Sequence, residues 1–161
     1  MEKVDSHVVK GVTELKEMKL IGFRVVCEDT ESYGREIPKA FVLLDSRRDE
    51  IKNLIDPVKL IGAFKVVDSP HEDDGYWVCF EVNEIEDIPE GMVSLVIPAQ
   101  IFGVLHFQGH ASQIFGVYSH LHQWLDEKGY RGNLEGWNLE IYSRWSENDN
   151  VVNLYNPIIP S

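Results

Sequence analysis

Apolar and polar positions follow two different rhythms along this chain. Alternating or densely apolar runs at 14–27, 59–67, 76–82, 92–98, 101–107, 137–145 and 151–158 read as β-strands. The period lengthens at 37–51, where Ile37, Ala40, Phe41, Leu44 and Ile51 share one helical stripe and Pro38 suits a first turn. It lengthens again after Ser112, a helix N-cap by residue type. There Ile114, Tyr118, Leu121 and Leu125 form the stripe, Phe115, Val117 and Trp124 widen it, and Gly129 stops it. Between these elements, 28–36 reads as a loop around Gly34, 68–75 (D-S-P-H-E-D-D-G) as a hairpin turn, and 83–91 as an acidic link. Pro98 breaks the apolar run of 92–107 into a strand pair or one bent strand.

This order spells β-α-β-β twice, over 14–82 and again over 92–158. K-L-I-G-F-R-V-V (19–26) precedes the first helix as Q-I-F-G-V-L-H-F (100–107) precedes the second, with Gly22 and Gly103 at matching places. The expectation is an α+β fold with pseudo-twofold symmetry, in which an antiparallel sheet carries two helices flanking a groove. The whole of 1–161 then forms one domain.

Charge narrows the function classes. Acidic residues number 27 against 15 basic ones, a net charge of −12, which argues against direct nucleic-acid binding. Cys27 and Cys79 lie singly in apolar runs and read as reduced core thiols. No secretory h-region or bilayer-length apolar run is present, so the expected compartment is the cytoplasm, with no membrane partner. His120 and His122 point to different helix faces, and His106 and His110 straddle a strand end. No metal site and no cofactor is therefore expected.

One residue breaks the apolar pattern. Glu140 stands between Leu139 and Ile141 in W-N-L-E-I-Y (137–142). A carboxylate taken from water costs several kcal/mol unless it is paired or protonated. Glu140 therefore has a basic partner, a cavity kept for a ligand, or a solvent-facing edge position.

Several stretches together resemble the GyrI-like small-molecule-binding domain, the effector-binding domain of bacterial transcription activators. They are I-P-K-A-F (37–41), F-E-V (80–82) with I-P-E-G-M (88–92), W-L-D-E-K-G-Y (124–130), L-E-I-Y (139–142) and L-Y-N-P-I (154–158). The resemblance implies the duplicated fold with a ligand groove between the helices. It places the strand glutamate, here Glu140, at the base of an aromatic pocket that meets cationic or aromatic compounds. Phe41, Trp77, Tyr142 and Tyr155 are the implied walls, with Tyr118 and Trp124 from the second helix. Phe41 and Phe102 stand where the family often has tryptophan and tyrosine, and Cys79 and Phe80 are bulkier than usual, which points to a tighter pocket.

The family's regulators carry a DNA-binding module ahead of this domain. Here about thirteen residues precede the first expected strand, which suggests a stand-alone, sensor-like binding protein. Two other activities stay open under the same resemblance. One is hydrolysis of reactive cyclopropane-type compounds by Glu140 with Tyr142 or Tyr155. The other is interaction with a protein partner, as in gyrase-inhibitor relatives, to which the acidic surface is suited.

Overall fold

A computed structural model describes residues 6–65, 75–146 and 149–159. In chain order the elements are β1 (Ser6–Leu15), β2 (Met18–Val25), α1 (Thr30–Ser46), β3 (Leu60–Phe64), β4 (Tyr76–Val82), β5 (Val93–Ile97), β6 (Gln100–Gly109), α2 (Ile114–Glu127), β7 (Arg131–Gly132), β8 (Asn138–Arg144) and β9 (Asn150–Ile159). All pairings are antiparallel, in the order β1-β6-β9-β8-β3-β4-β2-β5, with β7 on the end of β9. The order is mirrored about the β8–β3 contact, where β9 and β6 on one side answer β4 and β2 on the other. That is the duplicated α+β fold expected from the sequence. The hairpin turn expected at 68–75 lies outside the described residues, except for Gly75.

Several boundaries differ from expectation. The polar lead joins the start of the 14–27 run to form β1, which Lys16 and Glu17 separate from β2. The helix α1 starts at Thr30, so Pro38 lies inside it and the expected loop at 28–36 is mostly helical. Asp29 explains this, because its side chain accepts the Ser32 backbone N–H at 2.7 Å. Such a cap contributes about 1 kcal/mol, comparable to the cost of Gly34 in the helix. Ser112 does not cap α2: the Nδ1 of His110 accepts the Ser112 N–H at 3.1 Å and opens a short 3-10 turn, from which α2 continues at Ile114 without a side-chain cap of its own. Gly129 ends α2 as expected, at φ +82°, with Tyr130 N–H donating to Leu125 O and Gly129 N–H to Asp126 O.

The strands of 92–107 do not pair with each other. β5 flanks β2 at one end of the sheet and β6 lies beside β1 at the other, six places away in the order. In a flat sheet, six spacings of about 4.8 Å amount to roughly 29 Å. The Pro98–Ala99 link allows only about 11 Å between Ile97 and Gln100. The β1–β2 link through Lys16 and Glu17 poses the same constraint. The sheet therefore curls until its ends approach, and the two links run side by side, since Met18 pairs with Ile97 and Leu15 with Gln100.

Curling creates an inner and an outer face. Leu20, Ile61, Trp77, Cys79, Phe102, Val104 and Leu139 fill the inner one. The helices cover the outer one, packing Phe41, Leu44, Leu121 and Leu125 onto Ile21, Val78, Phe80, Leu105 and Leu154. The glycine echo does not survive this division. Gly103 lies under Leu125 of α2, where a Cβ would come within 2.6 Å of Cδ2, whereas Gly22 alternates with Ile21 and Phe23 and falls on the inner face.

Candidate functional site

Glu140 sits at the centre of β8, beside the mirror axis, opposite Gly62 of β3 and Leu154 of β9. Its side chain points to the outer face and is only 7% exposed. Of the options the sequence left for it, the structure supplies neither a solvent-facing edge nor a basic partner: among the described residues no basic side chain lies within ion-pair distance. Its partners are instead three tyrosine hydroxyls: Tyr76 donates to Oε1 at 2.5 Å, Tyr118 to Oε2 at 2.8 Å, and Tyr142 to Oε1 at 3.4 Å.

Each tyrosine arrives from a different element. Tyr142 is two residues on along β8 and so shares Glu140's face. Tyr118 descends from α2. Tyr76, at the start of β4, reaches across the intervening strand β3. The crossing depends on Gly62, where a Cβ would fall 1.8 Å from the Tyr76 hydroxyl.

A second ring of aromatics closes over this cluster. Phe64 stacks on Tyr76 at 5.9 Å and meets Tyr118 edge-on at 6.3 Å. Phe41 of α1 meets Tyr142 edge-on at 5.4 Å and Tyr76 at 6.5 Å, and its other side faces Trp145 at 5.3 Å. His122 approaches the Tyr118 ring and bonds Asn156 through Nε2 at 3.1 Å.

Burial dominates the electrostatics. It pushes the Glu140 carboxyl above its ordinary range, and the three hydroxyl donors oppose that shift without cancelling it. Burial and the adjacent carboxylate together hold Tyr76, Tyr118 and Tyr142 well above the usual phenol value. These hydroxyls therefore remain protonated donors throughout the neutral range. The arrangement can hold a buried negative charge in place, ready to exchange a hydroxyl partner for a cation.

Of the residues singled out from sequence, Glu140, Tyr142, Tyr118 and Phe41 come together. Trp77 and Tyr155 do not. Strand alternation turns both to the inner face, where Trp77 meets Trp137 edge-on at 6.2 Å and Tyr155 meets Phe102 at 5.6 Å. Tyr155 pairs with Leu139, one residue out of step with Glu140, so it cannot share a reaction with that carboxylate. Trp124 stacks on Tyr130 near the end of α2 and makes no ring contact with the cluster. Tyr76, Phe64 and Gly62 were missed. The glycine inside L-I-G-A-F was the available signal, since glycine in a strand marks a close approach.

Comparison with known proteins agrees with this architecture. Residues 12–158 match the family Cass2, described as integron-associated effector binding protein. The chain belongs to that family. It is also similar to the transcriptional regulator BrlR of Pseudomonas aeruginosa, with 33% identity over 120 residues, covering 70% of this chain and 42% of that protein. The chain thus matches about two fifths of the regulator's length. In fold it resembles the EcmrR C-terminal domain at TM-score 0.70, with 16% identity over 99% of this chain and 100% of that one. A structure of SAV2435 bound to tetraphenylphosphonium gives TM-score 0.69 and 12% identity, covering 94% of each chain. Effector-binding domains of transcription regulators are thus its relatives, and among the described residues no helix is long and apolar enough to cross a membrane.

Proposed function

We propose that this effector-binding domain takes up small lipophilic cations, with Glu140 as the charge that receives them. The observation carrying this reading is a buried carboxylate whose hydrogen-bond partners, among the described residues, are three neutral tyrosine hydroxyls. A delocalised cation supplies the missing charge, and each ring face adds roughly 0.5–2 kcal/mol. In the closed arrangement described above, the tyrosines fill the space around Glu140. Binding therefore displaces Tyr118, the one member of the trio carried by a helix, and moves α2 relative to the sheet. Such a shift passes ligand occupancy to the surface of the domain.

The fold-level likeness to a tetraphenylphosphonium-bound protein supports the class of ligand. Relatives among transcription regulators suggest work in the bacterial cytoplasm. With a net charge of −12, any DNA-linked role runs through a partner or another module rather than through this acidic unit. Hydrolysis is the weaker reading, because both Glu140 oxygens already accept hydroxyls and Tyr155 faces away.

The test is calorimetric titration with tetraphenylphosphonium and with neutral triphenylphosphine oxide. Saturable binding of the cation alone, weakened about tenfold or more in Glu140→Gln, is expected. Equal affinity for both compounds, or an unaffected variant, would overturn the assignment.

A further inference from the structure

The curled sheet leaves one end of its inner face open, on the side of β8 opposite Glu140. A cavity of about 260 Å³ lies there, beside the β1–β2 link. Its floor is apolar, formed by Met18, Ile61 and Ile141 with the Tyr155 ring. Four charged side chains line it as well: Lys16 and Glu17 from the β1–β2 link, Lys59 just before β3, and Glu81 of β4.

Two observations make this more than a surface dimple. Among the described residues, none of these four charges has an ion-pair partner within 4.0 Å or a side-chain hydrogen bond. Glu81 is also only partly exposed, and it follows Trp77 and Cys79 on the inward positions of its strand. A half-buried carboxylate with neither a close ion pair nor a hydrogen bond is costly in an apolar surround, and a ligand ammonium removes that cost. The lysines balance the glutamates, so the cavity favours neither a bare cation nor a bare anion.

We propose that this cavity is a second small-molecule site, which takes a compact zwitterion with an apolar body, of the free aliphatic amino-acid class. The ammonium meets Glu81, the carboxylate meets Lys59 and Lys16, and the aliphatic part lies on Met18, Ile61 and Ile141. Size agrees. At roughly 30 Å³ per water the space holds about nine waters, short of the ~300 Å³ at which drug-sized pockets begin. Burial raises the Glu81 carboxyl while Lys59 opposes the shift, consistent with a group that gains from a cationic partner. The site shares β8 with the Glu140 cluster, since Ile141 lines one face of the strand and Glu140 the other. It does not depend on the function proposed for that cluster.

Three probes of similar body and different charge decide the matter: L-leucine, isopentylamine and 4-methylpentanoate, followed by saturation-transfer NMR and calorimetry up to millimolar concentrations. Leucine is expected to bind saturably, and each singly charged probe to bind about tenfold more weakly or worse. Glu81→Gln and Lys59→Gln should each reduce leucine affinity while leaving tetraphenylphosphonium affinity unchanged. Ser143→Trp, an exposed rim position, should block leucine sterically without altering any of the four charges. Absence of leucine binding by the wild type would overturn the proposal, as would equal binding of all three probes. So would leucine binding that survives both Glu81→Gln and Ser143→Trp but is lost in Glu140→Gln, because that pattern places the ligand on the outer face.

Discussion

Tyr76 and Glu140 meet across a strand to which neither belongs. The hydroxyl of β4 donates to the carboxylate of β8 at 2.5 Å, passing over Gly62 of β3. Three adjacent strands are thus tied together at the mirror axis by one side chain. The contact exists only because the middle strand carries no Cβ at the crossing point.

Gly62→Ala tests that dependence. Its Cβ would lie 1.8 Å from the Tyr76 oxygen and 2.4 Å from Cζ, so the ring must move and the bond to Glu140 is lost. The expected loss of stability is about 1–3 kcal/mol in denaturant melts. Combined with Tyr76→Leu, which empties the contested space, the substitution should cost clearly less than the sum of the two single changes.

The raised carboxyl of Glu140 makes stability depend on pH. Because its folded-state value lies above its unfolded one, the native state holds more protons between the two. Its contribution is therefore fully present below the unfolded value and falls as pH rises through the folded value. Thermal melts from acidic to neutral pH should show that decline in the wild type, and a flatter profile in Glu140→Gln.

Under the proposed function, the same group would couple cation binding to protons. A cation at Glu140 favours the ionised form, so tetraphenylphosphonium should release protons where the free carboxyl is partly protonated. Affinity should drop as pH is lowered through that range. Calorimetry in buffers of different ionisation enthalpy measures the release, and a buffer-independent heat would count against Glu140 as the receiving charge.

Tyr118→Phe removes the only hydroxyl among the described residues that donates to Oε2. Leaving that oxygen short of a donor costs about 1–3 kcal/mol of stability. It should also raise the Glu140 carboxyl further, since the lost bond was one of those holding it down. Carbon-detected NMR titration of the Glu140 carboxyl reads this shift directly.

Gly129→Ala addresses the end of α2 rather than its site-facing residue. At φ +82° an alanine is strained, and a loss of about 1 kcal/mol is expected. Because nothing lies within 4 Å of its Cβ position, the effect is conformational rather than steric. Melts should shift while ligand affinity stays within a factor of two or so.

Much of this protein could be read from the linear chain. Strand and helix periods, the repeated β-α-β-β order and the stop at Gly129 are local properties of residue type and spacing, and they carried the fold. The isolation of Glu140 in an apolar strand likewise singled out the carboxylate on which the tyrosines converge. What the tertiary structure alone decided was which side chains share a face and which cross between strands. Register put Leu154, not Tyr155, opposite Glu140, and a shift of one residue moves every side chain to the other face. Strand pairing sent β5 and β6 to opposite ends of the sheet, and the curl that rejoins those ends opened the cavity beside the β1–β2 link. Tyr76 found its carboxylate 64 residues away because Gly62 left the path clear. Long-range pairing of this kind depends on how strands stack in space, which local patterns do not encode.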